Sequence, residues 1–182
     1  MGLRMDLIPK KGIKIDEKHD ILIGMSKETI LNTLGKPELI KQTNYIYPDK
    51  ATEISERFYY ENIWLVVELK NNQVVFLETS RYETFYFKNT ISLAKENFKT
   101  TLRELEKIGY VSVVDEDDTY IFNDLNFFMY INNEELESLG IFSDGYFEKI
   151  TEKIKERFIK YDVKFKMEKG IDKYIYTLKE SK

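Results

Sequence analysis

"ENIWLVVELKNNQVVFLETS", residues 61–80, sets two apolar runs on either side of Asn71-Asn72. Successive side chains of an extended strand point to opposite faces, so Ile63, Leu65, Val67 and Leu69 are expected on one face and Trp64, Val66 and Glu68 on the other. Asparagine tolerates positive φ, which suits a tight turn, and Val74 to Leu77 then returns as the antiparallel partner. "RYETFYF", residues 81–87, continues extended and adds a third expected strand.

The pattern returns further along. "FNDLNFFMYINNEELESLGIFS", residues 122–143, places Leu125, Phe127, Met129 and Ile131 at an offset of 62 from Ile63, Leu65, Val67 and Leu69, with an Asn-containing turn after each run. The pattern repeats and the residue identities do not, so a tandem duplication and two ordinary meanders both remain open.

Helix signals flank these strands. In "IGMSKETILNTLGKP", residues 23–37, Ser26 can cap a short helix whose Ile30, Leu31 and Leu34 share a side, Gly35 supplies a left-handed stop and Pro37 bars continuation. Residues 38–57 are polar and read as a connection with one short strand near Tyr45–Tyr47. Ala94, Phe98, Leu102, Leu105 and Ile108 recur at three-to-four spacing before Gly109, which predicts a helix from about Ile91 to Ile108. Phe147, Ile150, Ile154 and Phe158, behind Asp144-Gly145, predict a third from about Tyr146 to Lys160. "VKFKMEKGIDKYIYTL", residues 163–178, suggests a terminal hairpin about Lys169-Gly170 or a loosely held tail. The expected fold class is α+β, antiparallel β-meanders with packed helices, in two helix-plus-meander units over 1–88 and 89–182 that form one compact body.

With 182 residues, 42% hydrophobic and 33% charged, the chain can bury a core and has the composition of a globular protein. It has no cysteine, which removes disulfides, thiolate metal sites and thiol nucleophiles. The start "MGLRMDLIPKKGIKIDEKHD" has no apolar core of signal-peptide length, and the longest apolar run, Ile63 to Val67, is too short to span a bilayer. A cytoplasmic location without membrane association is expected. Net charge is −4, with Lys+Arg 28 and Asp+Glu 32 mixed along the chain, so nucleic acid is not an expected partner.

Catalytic groups are sparse. The one histidine, His19, lies in the charged "DEKHD", residues 16–20, and is expected to be a solvated loop residue. Neither GxGxxG nor GxxxxGK[ST] is present to cradle phosphate. In "DEDDTYIFNDLN", residues 115–126, Asp115, Asp117 and Thr119 match a calcium loop, but Tyr120 stands where the turn needs Gly and Asn126 where a bidentate Glu is needed. The stretch therefore reads as an acidic turn. Asp16-Glu17 and Glu134-Glu135 sit in polar surroundings unlike those of a hydrolytic carboxylate pair. No catalytic residue, cofactor or metal is expected.

Aromatic side chains are in excess, with Tyr 13, Phe 12 and Trp 1. If helices cover the sheet face bearing Leu65, Val67, Phe127 and Met129, the opposite face carries Tyr60, Trp64, Glu68, Asp124, Phe128 and Tyr130. Left open, such a face suits protein binding, with Trp64, Tyr60, Phe128 and Tyr130 as anchors. Covered by the third helix or the terminal hairpin, it is core.

"IGMSKETILNTLGKP" followed by "FYYENIWLVVELKNNQVVFLE", residues 58–78, resembles the helix-then-meander unit of the beta-lactamase-inhibitor-like proteins, whose members include small outer-membrane assembly lipoproteins. The shared elements are Gly24-Met25-Ser26, the Leu34-Gly35-x-Pro37 stop and the Tyr-rich strand leading into Val67-Glu68-Leu69-Lys70, within residues 20–80. Unlike the lipoproteins, the chain has no lipid-bearing Cys. In the second half, "YIFNDLNFFMYI", residues 120–131, with "LESLGIFSDGYF", residues 136–147, resembles small bacterial proteins often associated with toxin–immunity loci. Together the resemblances imply a non-enzymatic inhibitor or immunity protein that occludes another protein. If that partner is basic, such as a nuclease toxin, Glu68 and Asp124 on the aromatic face are expected to steer it. The alternatives are a small-ligand protein with an aromatic pocket between the sheets and a homodimer that uses the aromatic face on itself.

Overall fold

The computed structural model describes residues 4–46, 52–80, 85–87, 91–92, 98–107, 110, 112–114, 119–132, 135–147, 161–168 and 171–178, and its first elements are three short antiparallel strands. These are β1 (Met5–Ile8), β2 (Gly12–Ile15) and β3 (His19–Leu22). No element was expected here, because runs of four residues are too short to show a period. Met5, Leu7, Ile13, Ile15 and Ile21 are all buried. His19 opens β3 and is exposed, so it is a strand residue and not the loop residue expected.

Helix α1 (Lys27–Leu34) forms with the expected caps. Ser26 Oγ accepts from the Thr29 amide at 3.1 Å, and the Gly35 N–H, at φ 81°, closes on the Leu31 carbonyl. Ile30 is fully buried. The polar stretch after it is a hairpin and not a connection: β4 (Leu39–Ile46) pairs antiparallel with β5 (Thr52–Tyr60) over its whole length. An edge strand with polar residues on both faces carries no apolar alternation, so pairing and not pattern creates it.

A 3₁₀ turn, Glu61–Ile63, follows, and Trp64 sits in the left-handed region at φ 55° and ψ 38°. Then come β6 (Leu65–Lys70) and β7 (Gln73–Thr79), joined by Asn71 and Asn72, both at positive φ. Strand β8 (Phe85–Phe87) leaves this sheet and lies parallel to β1, and β9 (Ile91–Ser92) pairs with β8. Ile91 is therefore in a strand and not in the expected helix; α2 runs Phe98–Lys107, with Leu105 buried and Leu102 half-buried. Strands β10 (Val113–Val114) and β11 (Thr119–Phe122) lead to a second 3₁₀ turn, Asn123–Leu125, and then to β12 (Phe127–Asn132) and β13 (Glu135–Phe142). The "DEDD" turn and residues 148–160 of the expected third helix lie outside the described residues.

The chain divides into two compact units, Met1–Tyr146 and Phe147–Lys182. In the second, β14 (Tyr161–Glu168) and β15 (Ile171–Leu178) make the expected terminal hairpin. In the first, a five-stranded sheet, β3-β2-β1-β8-β9, and an eight-stranded antiparallel sheet, β10-β11-β12-β13-β7-β6-β5-β4, share one hydrophobic core to which α1 and α2 add Ile30 and Leu105. The α+β class with mostly antiparallel sheets is as expected.

The offset of 62 is present in the pairing as well as in the sequence. Leu65↔Thr79, Val67↔Leu77, Glu68↔Phe76, Leu69↔Val74 and Lys70↔Gln73 correspond to Phe127↔Ile141, Met129↔Leu139, Tyr130↔Ser138, Ile131↔Leu136 and Asn132↔Glu135. The register shifts fall at matching places, Glu68/Leu69 and Tyr130/Ile131. Trp64 at φ 55° corresponds to Asn126 at φ 51°. Strands β7 and β13 then pair through Leu77↔Ile141, Glu78↔Gly140 and Thr79↔Leu139, so both meanders belong to one sheet.

Candidate functional site

Directly opposed residues of an antiparallel pair share a face. Phe58, Tyr60, Leu65, Val67, Leu77, Leu139, Ile141, Phe127 and Met129 accordingly form the core side of the large sheet, and all are buried. The other side carries Arg57, Glu68, Phe76, Phe128, Tyr130 and Phe142.

The six residues singled out from the sequence do not form one open surface. Tyr60 is 2% exposed and faces the core opposite Leu65. The 3₁₀ turn resets the alternation before β6 begins, so Tyr60 and Trp64 are not strand neighbours on one face. Glu68 and Phe128 do lie on the outer side but are buried, at 0% and 3% exposure. Phe76 stacks on Phe128 at 5.1 Å and on Tyr146 at 4.8 Å, so these rings are engaged with one another. Glu68 Oε2 accepts from Arg57 Nε at 2.7 Å and from the Tyr146 hydroxyl at 3.0 Å, while its Oε1 has no hydrogen-bond partner among the described residues. Tyr130 is half-buried on this side, and Asp124 is exposed in the second 3₁₀ turn.

Trp64 is different. Its indole is 61% exposed, the most exposed large hydrophobic side chain among the described residues. It borders an open-sided pocket of about 400 Å³ with Tyr59, Tyr60, Glu61, Leu65, Val66 and Ser80. Leu39, exposed at 39%, is paired with Tyr59, which is paired in turn with Val66, so an apolar row runs from the pocket to the sheet edge. The turn is tied in place by the Glu61 amide, which donates to Glu38 Oε2 at 3.2 Å. The Tyr60 hydroxyl donates to the Gly35 carbonyl at 3.1 Å. Burial, with the Glu38 carboxylate adding to it, pushes the Tyr60 phenol up to about 12.

Tyr59, Glu61, Val66 and Ser80 were not singled out from the sequence. The offset of 62 sets Trp64 against Asn126, and asparagine is an ordinary occupant of the left-handed region where tryptophan is not; that contrast marks the Trp64 position, while its pocket neighbours carry no signal of their own. Among the described residues no group of three or more His, Cys, Asp or Glu side chains could hold a metal ion, and no helix is long and apolar enough to cross a membrane. The pocket offers π faces, apolar contacts, a hydroxyl and one carboxylate. Comparison of the chain with protein-family models, with curated proteins and with solved structures finds no match.

Proposed function

We propose that this chain is a non-enzymatic binding protein of the inhibitor or immunity type, which holds another protein through the surface centred on Trp64. The contrast between Trp64 and Asn126 carries this reading. Both occupy the same left-handed position after a 3₁₀ turn, a conformation that costs an L-residue roughly 1–2 kcal/mol. Asn126 is suited to it: it is buried, and its side-chain amide donates to Asp144 Oδ1 at 2.7 Å. Trp64 bears the strain while its indole stands in solvent. Strain of this kind concentrates at functional positions, and tryptophan is prominent among binding hot spots.

The test is a pull-down with tagged wild type and Trp64→Asn from a lysate of the source organism, read by mass spectrometry. A protein retained by the wild type and lost by the variant, with circular dichroism unchanged, is expected. Equal retention by both, or no protein retained by either, would overturn the proposal.

A small-ligand protein is the second reading, favoured by the pocket itself, whose volume of about 400 Å³ lies within the usual ligand range. The pocket's open side and its continuity with exposed Leu39 favour a protein.

A further inference from the structure

We infer that the pocket beside Trp64 receives a positively charged side chain, a lysine or arginine carried by the partner. This rests on the protein-binding reading and assigns the chemistry of the group that enters. Among the described residues, three of the seven that line the pocket are aromatic, Tyr59, Tyr60 and Trp64, and the one charged residue is Glu61. Aromatic faces are the negative poles of their ring quadrupoles and attract a cation held within about 6 Å of the centroid.

Two carboxylates reinforce this. Glu61 is exposed, and among the described residues its side chain makes no ion pair. Glu38 is drawn against the same turn by the Glu61 amide, and its charge reaches the pocket wall, where it helps to hold the Tyr60 phenol neutral. The chain already makes one contact of the inferred kind nearby: the Lys41 ammonium lies 5.0 Å from the Tyr59 ring centroid. With the Tyr59 ring taken by Lys41 and Tyr60 buried against the core as the pocket floor, the exposed Trp64 face and the Glu61 carboxylate are left to meet an incoming cation. An apolar side chain entering instead would desolvate the Glu61 carboxylate without pairing it, and an acidic one would be repelled, so the pocket discriminates by charge.

Trp64 is the single tryptophan of the chain, so its fluorescence reports on this pocket alone. Wild type and Glu61→Gln are titrated at low salt with acetyl-glycyl-lysyl-glycine amide and with its norleucine counterpart, which keeps the methylenes and lacks the ammonium. Saturable binding of the lysine peptide is expected, at least about fivefold tighter than norleucine in the wild type, with the ratio shrinking toward unity in Glu61→Gln. Equal effects of the two peptides, no saturable effect of either, or a lysine preference untouched by Glu61→Gln would each overturn the inference. A partner captured by the wild type and lost by Trp64→Asn, alongside equal peptide titrations, would keep the protein-binding reading and overturn the cation assignment. A lysine preference with no partner captured would support the cation pocket and overturn the protein-binding reading.

Discussion

Trp64 and Asn126 do the same backbone job with very different side chains, and the difference can be measured. Replacing Trp64 by asparagine gives the position a residue that accepts positive φ and removes no buried apolar contact of consequence. Trp64→Asn is therefore expected to raise the stability by about 0.5–1 kcal/mol in urea denaturation, while partner capture is lost. Tyr60 gives a second test. Its folded value of about 12 lies above the ordinary phenol value of 10.0, so the folded state holds a proton that the unfolded chain releases first. The associated stability is complete below pH 10 and is lost as pH rises toward 12, by roughly 2 kcal/mol. Tyr60→Phe loses the bond to Gly35, at a cost of about 1 kcal/mol near neutral pH, and is expected to show a shallower decline between pH 10 and 12 than the wild type.

Strands β5 and β6 are tied by an ion pair whose members differ in exposure, Arg57 at 30% and Glu68 at 0%. Removing one member of such a pair leaves an uncompensated buried charge, whereas replacing both with apolar groups can be neutral. Arg57→Met is expected to cost about 3–5 kcal/mol, and the double variant Arg57→Met, Glu68→Leu to recover most of that, as read by chemical denaturation. Strands β7 and β13 depend on Gly140, where a Cβ would run into the Leu77 carbonyl and the Phe128 ring. The Leu77 carbonyl is backbone and cannot swing aside, so Gly140→Ala is expected to destabilise the protein by more than about 3 kcal/mol, measured the same way. The pairing of β4 with β5 teaches a different lesson. Its polar residues carry no period, so the hairpin was not legible, whereas α1, with Ser26, Ile30 and Gly35 at their proper spacings, was legible in full.

Across residues 1–146 the two meanders are continuous, joined at β7 and β13 and seated on one core that includes residues of both. A shared sheet and a shared core make separate unfolding of either meander costly, because the other would be left with bare strand edges and exposed apolar side chains. Urea unfolding followed by Trp64 fluorescence, which reports on the first meander, is expected to coincide with unfolding followed by far-ultraviolet dichroism. A Trp64 transition at clearly lower urea would show that the meanders unfold independently.

By itself the sequence determined the alternating β6–β7 and β12–β13 hairpins, the capped first helix and the offset of 62, because each of these is written in local spacing; between a terminal hairpin and a loose tail the structure decided, pairing β14 with β15. It also determined the residue types available for chemistry, among them a single tryptophan and no cysteine. Only the tertiary structure decided which aromatic residues meet solvent. Tyr60 turned inward because a 3₁₀ turn interrupts the alternation, and Phe128 is buried in a stack with Phe76 that joins residues distant in the chain. Trp64 alone of the expected anchors is exposed, on a strained backbone position beside Glu61. Local pattern dictates which way a side chain leaves its own strand; what it then meets depends on the partners that folding brings to it.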